Sequence, residues 1–212
     1  MTVLPELRTL LLFMSAALAL NLTPGPDMLY VAGRSAADGR GAGIAAALGI
    51  GAGTLVHIAA VALGLAALLA AVPIAYAVVR ITGAAYLVWL GVKALLRRGG
   101  ADGATALAPA SRWTAFRQGA LTNVLNPKVA LFFLAFLPQF VDAGRGSPAA
   151  QVIALGLLFD LSGTIVNLAV ALGASGAASR LRASGRTASL LQRATGVLFI
   201  ALGVRLALAG RR

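Results

Sequence analysis

Two short stretches carry the residue types that could do chemistry in this chain: Asn21-Leu22-Thr23-Pro24-Gly25-Pro26-Asp27 and Asn123-Val124-Leu125-Asn126-Pro127-Lys128. Each interrupts an apolar run with proline. Pro24 has no N–H to offer and its ring clashes with the carbonyl of Leu20; Pro26 does the same to Leu22, and Pro127 to Asn123. The freed carbonyls need a partner, and inside a bilayer only protein, water or substrate can supply one. A new half-helix is predicted to start at each break, with Pro26 in a first-turn position beside Asp27 and with Asn126 placed to cap the other. A helix N-terminus carries about half a unit of positive charge and suits a carboxylate. Freed carbonyls and the Asn21 and Asn123 side chains suit an ammonium. The combination fits a zwitterionic amino acid, held by Asn21, Pro24, Gly25, Pro26, Asp27, Asn123, Asn126, Pro127 and Lys128. The plainer alternative is a pair of kinks in packed helices. Two breaks in matching positions, each flanked by Asn, favour a site.

Asp27 and Lys128 each follow a proline and are near-equivalents of one another. Neither is near a helix end from which it could reach water easily, and charges inside a membrane are costly enough to be functional by default. A pairing between them could serve structure or function. His57, the only histidine, lies mid-run and titrates near physiological pH when unperturbed. Asp160 is the other acid deep in an apolar run. Asp27, His57 and Asp160 are the candidates for proton coupling, against the plainer reading of His57 as a hydrogen-bonding contact between helices. Thr54 and Thr164 are expected to bond back to their own helices.

One enzyme motif needs weighing. Gly173-Ala174-Ser175-Gly176 has the form used by rhomboid-type intramembrane serine proteases. There the histidine follows the serine, whereas His57 precedes Ser175 by more than a hundred residues. A chain rich in Ala, Ser and Gly yields such a tetrad easily by chance, so this reading stays remote. The absence of cysteine excludes thiol chemistry and disulfides. No cluster has metal-ligand spacing and no phosphate loop is present, so neither metal nor cofactor is expected.

The elements that must position these residues are apolar throughout. The chain has 212 residues, 59% hydrophobic and 11% charged, with mean hydropathy +0.89. A soluble domain has about 25% charged residues. Apolar runs near 9–31, 44–70, 72–95, 117–140, 150–174 and 190–209 each fit a bilayer crossing of about 20 residues. The first run passes for a signal-peptide core but continues beyond its break, so it is read as a retained helix. Several segments recur. GTLVHIAAVALG at 53–64 returns as GTIVNLAVALG at 163–173, and TGAAYLVWLGVK from Thr82 as TGVLFIALGVR from Thr195. Asn167 thereby matches His57. The order of recurrence predicts an all-α integral membrane fold of six transmembrane helices, arranged as two inverted three-helix repeats with broken first helices. Repeat one covers about 1–98 and repeat two about 114–212, joined by a Gly/Ala/Pro-rich linker at about 99–113, all in a single membrane transport domain.

The net charge of +12 does not indicate nucleic acid, because the basic residues sit between apolar runs. Arg34, Arg40, Arg97, Arg98, Arg112, Arg117, Arg180, Arg182, Arg186 and Arg193 fall in the loops after odd-numbered runs; Arg8, Arg80, Arg145, Arg211 and Arg212 fall on the other side. That bias predicts both termini outside the cytoplasm. Gly49, Gly53, Gly64, Gly83 and Gly91 are predicted close-approach positions between helices.

The chain resembles the LysE/RhtB family of bacterial amino-acid exporters over nearly its whole length. The motifs are NLTPGPDML from Asn21, GIGAGTLVH from Gly49, GAAYLVWLGVKALL from Gly83 and FRQGALTNVLNPKVALFFLAFLPQF from Phe116. The resemblance implies a small inner-membrane protein that moves amino acids or related metabolites outward on the proton gradient. The expected partners are an amino acid, protons and the lipid bilayer; a homo-oligomer is admitted and not specified. Export of another small solute or a metal cation is the alternative, disfavoured by the Asn, Pro and Lys at the breaks.

Overall fold

The computed structural model describes residues 5–71, 73–96 and 108–173, and beyond these only 193, 196–197, 199–201, 203–204 and 207–208. All regular structure among the described residues is helical: α1 (Leu7–Leu22), α2 (Pro26–Asp38), α3 (Arg40–Ala71), α4 (Pro73–Leu96), α5 (Arg112–Val124), α6 (Pro127–Leu131) and α7 (Pro148–Gly173). After α6 the helix widens to a π segment, Phe132–Phe136, then tightens to a 3-10 turn, Leu137–Phe140. Ser175 and the rest of its motif after Gly173, the basic loop at 179–186, most of the 99–113 linker and much of the sixth apolar run lie outside the described residues.

Both breaks form where proline dictates them. Thr23 N–H closes the last turn of α1 onto Ala19 and Leu20, extended Gly25 separates the helices, and Pro26 opens α2. Leu125 and Asn126 play the same part between α5 and α6, where Pro127 takes the first position. The axis turns by 47° at the first break and by 45° at the second, as expected of kinks whose cause is proline. Two helices, Arg40–Gly64 and Pro148–Gly173, are long and apolar enough to cross a bilayer, and each bent pair passes that test when taken together. The apolar stretch within α4 is shorter, Ile81–Lys93.

The faces of α7 show how the apolar runs are used. Leu157, Leu161, Ile165 and Leu172 are exposed at close to helical spacing, while Val152, Leu155, Phe159 and Ala171 are buried. An exposed leucine stripe of this length would be a liability in water and is what a lipid-facing surface requires. The buried faces form two clusters. One is large and aromatic: Phe13, Leu20, Phe132, Phe133, Phe136, Phe140 and Phe159 lead it. The other is built from small residues, with Val31, Ala42, Ala46, Ala47, Ile50, Ala115 and Ala171. The aromatic cluster takes residues before the first break and after the second; the small-residue cluster takes residues after the first and before the second. The breaks therefore lie between two dry zones.

Glycine sets the helix separations that matter. A Cβ at Gly53 would stand 2.6 Å from the carbonyl oxygen of Ala120, and one at Gly119 would stand 2.5 Å from that of Ala46. So α3 and α5 touch backbone to backbone, as small residues permit in membrane helices. Gly49 (against Phe116), Gly83 (against Ala135) and Gly91 (2.6 Å from Gly196 O) are close-approach positions as predicted. Gly64 is not: no described atom comes within 4 Å of a Cβ there.

Candidate functional site

Asn123 is the hub of the site. It is in the last turn of α5, 1% exposed, and the glycine contacts of α3 bring it against that helix. Its side-chain amide donates to Asp27 Oδ2 at 2.9 Å. Its side-chain oxygen is 3.3 Å from the Thr54 hydroxyl. Its main-chain carbonyl, the one Pro127 deprives of a helical partner, accepts from Asn126 N–H at 2.9 Å and contacts His57 Nε2 at 3.1 Å. A carbonyl only accepts, so Nε2 carries the proton in this contact. The His57 ring also stacks on Phe133, with centroids 5.9 Å apart.

The other break is closed from a distance. Lys128 Nζ donates to Leu20 O at 3.0 Å and to Thr23 O at 3.1 Å. Leu20 O is the carbonyl released by Pro24. The ammonium fits because Gly25 lacks a side chain; a Cβ there would be 3.1 Å from Nζ. Each break is thus capped by an N–H group from elsewhere in the fold, the first by Lys128 and the second by His57. For Leu20 O and Asn123 O this corrects the reading of the freed carbonyls as open ammonium acceptors, since both already have partners. Asp27 and Lys128, the pair considered from sequence, form no ion pair among the described residues. The backbone carbonyls hold the lysine, and Asn123 holds the aspartate.

Asn126 caps α6 as predicted, its side-chain oxygen accepting Lys128 N–H at 3.0 Å. That occupies an amide at the start of α6, and one short turn of helix adds little field of its own. At the start of α2, Gly25 supplies no side-chain cap. Asn21 is bonded to α7, donating to Phe159 O at 3.2 Å and Ser162 Oγ at 3.0 Å. The two asparagines nonetheless have matching neighbours. A Cβ on Gly53 would meet Asn123 Oδ1 at 3.1 Å, and one on Gly163, the repeat counterpart of Gly53, would meet Asn21 Oδ1 at 3.1 Å. Pro24, Pro26 and Pro127 are exposed at the bends and shape the site through the backbone.

Asp160 is only half-buried, 3.5 Å from Thr164 Oγ1. It is near Gly51 of α3 and makes no described contact with Asp27 or His57. Thr54 bonds back to Ile50 O at 3.2 Å as expected, but also reaches Asn123. Thr164 turns to Asp160 instead of its own backbone. Among the described residues no three of His, Cys, Asp and Glu come together to hold a metal.

A second polar cluster escaped sequence reasoning. Arg34, counted there as a loop arginine, is 4% exposed within α2. It donates to Asp38 Oδ2 at 2.9 Å, Ala108 O at 2.7 Å, Gln118 Oε1 at 2.7 Å and Tyr30 OH at 3.2 Å. Tyr30 OH in turn donates to Ala115 O at 3.1 Å. These bonds tie α2 to the start of α5 and to the residues just before it. The Arg34–Asp38 spacing of four was the available signal.

Residues 18–210 match the family model described as LysE type translocator. An uncharacterized membrane protein of Pseudomonas aeruginosa is 34% identical over 194 residues, 89% of each chain. The homoserine/homoserine lactone efflux protein of Salmonella typhimurium is 30% identical over 193 residues, covering 90% of this chain and 91% of that one. The leucine efflux protein of Klebsiella pneumoniae is 29% identical over 201 residues, 93% of each. No solved structure matches. The family is one of translocators and the two relatives named for a function are efflux proteins rather than enzymes, which removes the protease alternative. With the family model covering nearly all of its length, the chain belongs to the LysE type translocators.

Proposed function

We propose that the protein is a secondary transporter of the bacterial cytoplasmic membrane, exporting amino acids or close derivatives in exchange for protons. The reading takes the chain as six transmembrane helices in two inverted repeats, with both termini outside. The observation that carries it is the meeting of two bent helix pairs at Asn123, with Asp27 buried between them and each break capped across the fold. A kink needed only for packing has no use for a buried carboxylate. The reciprocal contacts of Gly53 with Asn123 and of Gly163 with Asn21 support the repeat arrangement, because symmetry-related segments would make such matching contacts. The names of the relatives support the substrate class, and leucine and homoserine are the first compounds to test.

The deciding experiment loads proteoliposomes containing the full chain with a panel of labelled amino acids and follows efflux with and without a pH gradient. Substrate-selective efflux that accelerates when the receiving side is made acidic is expected. Efflux indifferent to the gradient removes the proton-antiport part, and no efflux of any compound removes the reading.

A further inference from the structure

Among the described residues, two buried side-chain polar atoms have no partner: Asp27 Oδ1 and Asn126 Nδ2. Asp27 is 9% exposed and Asn126 2%. Buried polar atoms are nearly always hydrogen-bonded, and an orphan in a native fold calls for a specific explanation. These two differ in kind, since one is an anionic acceptor and the other a neutral donor.

Their surroundings fix which atom is free. Asn123 Nδ2 holds Asp27 through Oδ2, which leaves Oδ1. Lys128 N–H must face an acceptor, so the Asn126 oxygen takes that bond and the NH2 is the open end. Both residues are anchored on Asn123, Asp27 by its side chain and Asn126 through its main-chain N–H. Lys128 spends two of its three N–H groups on Leu20 O and Thr23 O, and Arg34, farther along α2, is bound to four acceptors of its own.

We infer that these two atoms are opposite ends of the substrate cradle: Asp27 Oδ1 accepts from the α-ammonium, and Asn126 Nδ2 donates to the carbonyl oxygen of the carboxyl end. This rests on the amino-acid efflux reading above and deepens it. The ammonium meets a charge, whereas the carboxyl end meets a neutral amide. A neutral amide donates to a carboxylate, an ester or an amide carbonyl alike, most strongly to the carboxylate. The site therefore selects compounds with a free α-ammonium beside a carbonyl carbon, and does not require the carboxylate charge.

The test is calorimetric titration of the full chain in detergent with leucine, homoserine, leucinamide and N-acetyl-leucine. Leucinamide is expected to bind within about tenfold of leucine, and N-acetyl-leucine about 10- to 100-fold more weakly, the size of one charge-assisted hydrogen bond. Asp27→Asn should weaken leucine by a similar factor. Asn126→Ala should weaken both leucine and leucinamide, leucine by somewhat more, and each by less than Asp27→Asn does. Equal binding of N-acetyl-leucine and leucine by the wild type overturns the assignment, and so does a hundredfold loss for leucinamide. Neither result depends on any variant folding. If the wild type exports leucine or homoserine yet shows either pattern, only this assignment falls. If it binds and exports none of the panel, the efflux reading has failed and the assignment falls with it.

Discussion

Lys128 caps Leu20: an ammonium from the second helix break is 3.0 Å from the carbonyl that Pro24 strips of its partner in the first. The same ammonium takes Thr23 O. Lys128 is thus a tie between the two halves of the fold, and its partners are backbone atoms rather than Asp27. Lys128→Met strands Thr23 O, at a cost of about 1–3 kcal/mol for an unpaired buried carbonyl, and leaves Leu20 O with only the Thr23 N–H at 3.2 Å. A clear fall in thermal stability in detergent is expected. Adding Asp27→Asn should bring no recovery, because the missing cap is still missing. A double variant more stable than Lys128→Met would mean that an ion pair is the dominant interaction.

The α3–α5 contact gives a sharper packing test. Gly53→Ala would place a methyl 2.6 Å from Ala120 O and 2.8 Å from Asn123 Cβ. Backbone on one side and the hub on the other leave no cheap relaxation, so a loss of about 1–3 kcal/mol is expected, together with lost efflux as Asn123 is displaced. Gly64→Ala meets nothing within 4 Å among the described residues and should stay within about 0.5 kcal/mol of wild type. Thermal unfolding of the two variants side by side checks both. Equal effects would mean the helices do not approach as described.

What could be read in the sequence divides along a physical line. The breaks were legible because proline acts on its own backbone, four residues back, whatever the fold around it. Asn126 as a cap was legible for the same reason. The partners of the freed carbonyls were not, since Lys128 reaches Leu20 across 108 positions and only the folded packing decides that this acceptor wins over Asp27. Gly64 resembles Gly53 in sequence and differs from it only in what packs opposite. Arg34 was assigned to a loop because the apolar run ends near Val31, yet α2 continues to Asp38 and carries its charges as a buried pair four residues apart.

That pair supports a further prediction. Arg34 joins Asp38, Gln118, Tyr30 and the Ala108 carbonyl with its forked guanidinium. Arg34→Ala leaves Asp38 largely buried beside unpaired acceptors, and losing one member of such a pair costs about 3–5 kcal/mol. Arg34→Lys keeps the charge but cannot reach all four acceptors, so it should restore only part of the stability. Unfolding temperatures should rank wild type above Lys above Ala. Full rescue by lysine would show that charge alone matters and that the network is incidental.

The last prediction separates two roles for His57. Its Nε2 is 3.1 Å from the carbonyl released by Pro127, a place where any fixed N–H donor would serve. A glutamine side chain can put an amide nitrogen near the position of Nε2 but cannot carry a proton across physiological pH. If His57 is a cap, His57→Gln should keep efflux driven by a pH gradient within several-fold of wild type, whereas His57→Leu, which leaves Asn123 O with only the Asn126 N–H and loses one hydrogen bond of about 0.5–1.5 kcal/mol, should lose stability and weaken transport. If His57 carries the coupling proton, His57→Gln will remain folded and bind substrate, but its efflux will no longer respond to the gradient. The geometry favours the first outcome, because the imidazole is held between a carbonyl and the Phe133 ring and no carboxylate among the described residues is in contact with it to exchange a proton. Proton coupling would then fall to Asp27 or Asp160, and Asp27→Asn and Asp160→Asn in the same assay would tell them apart.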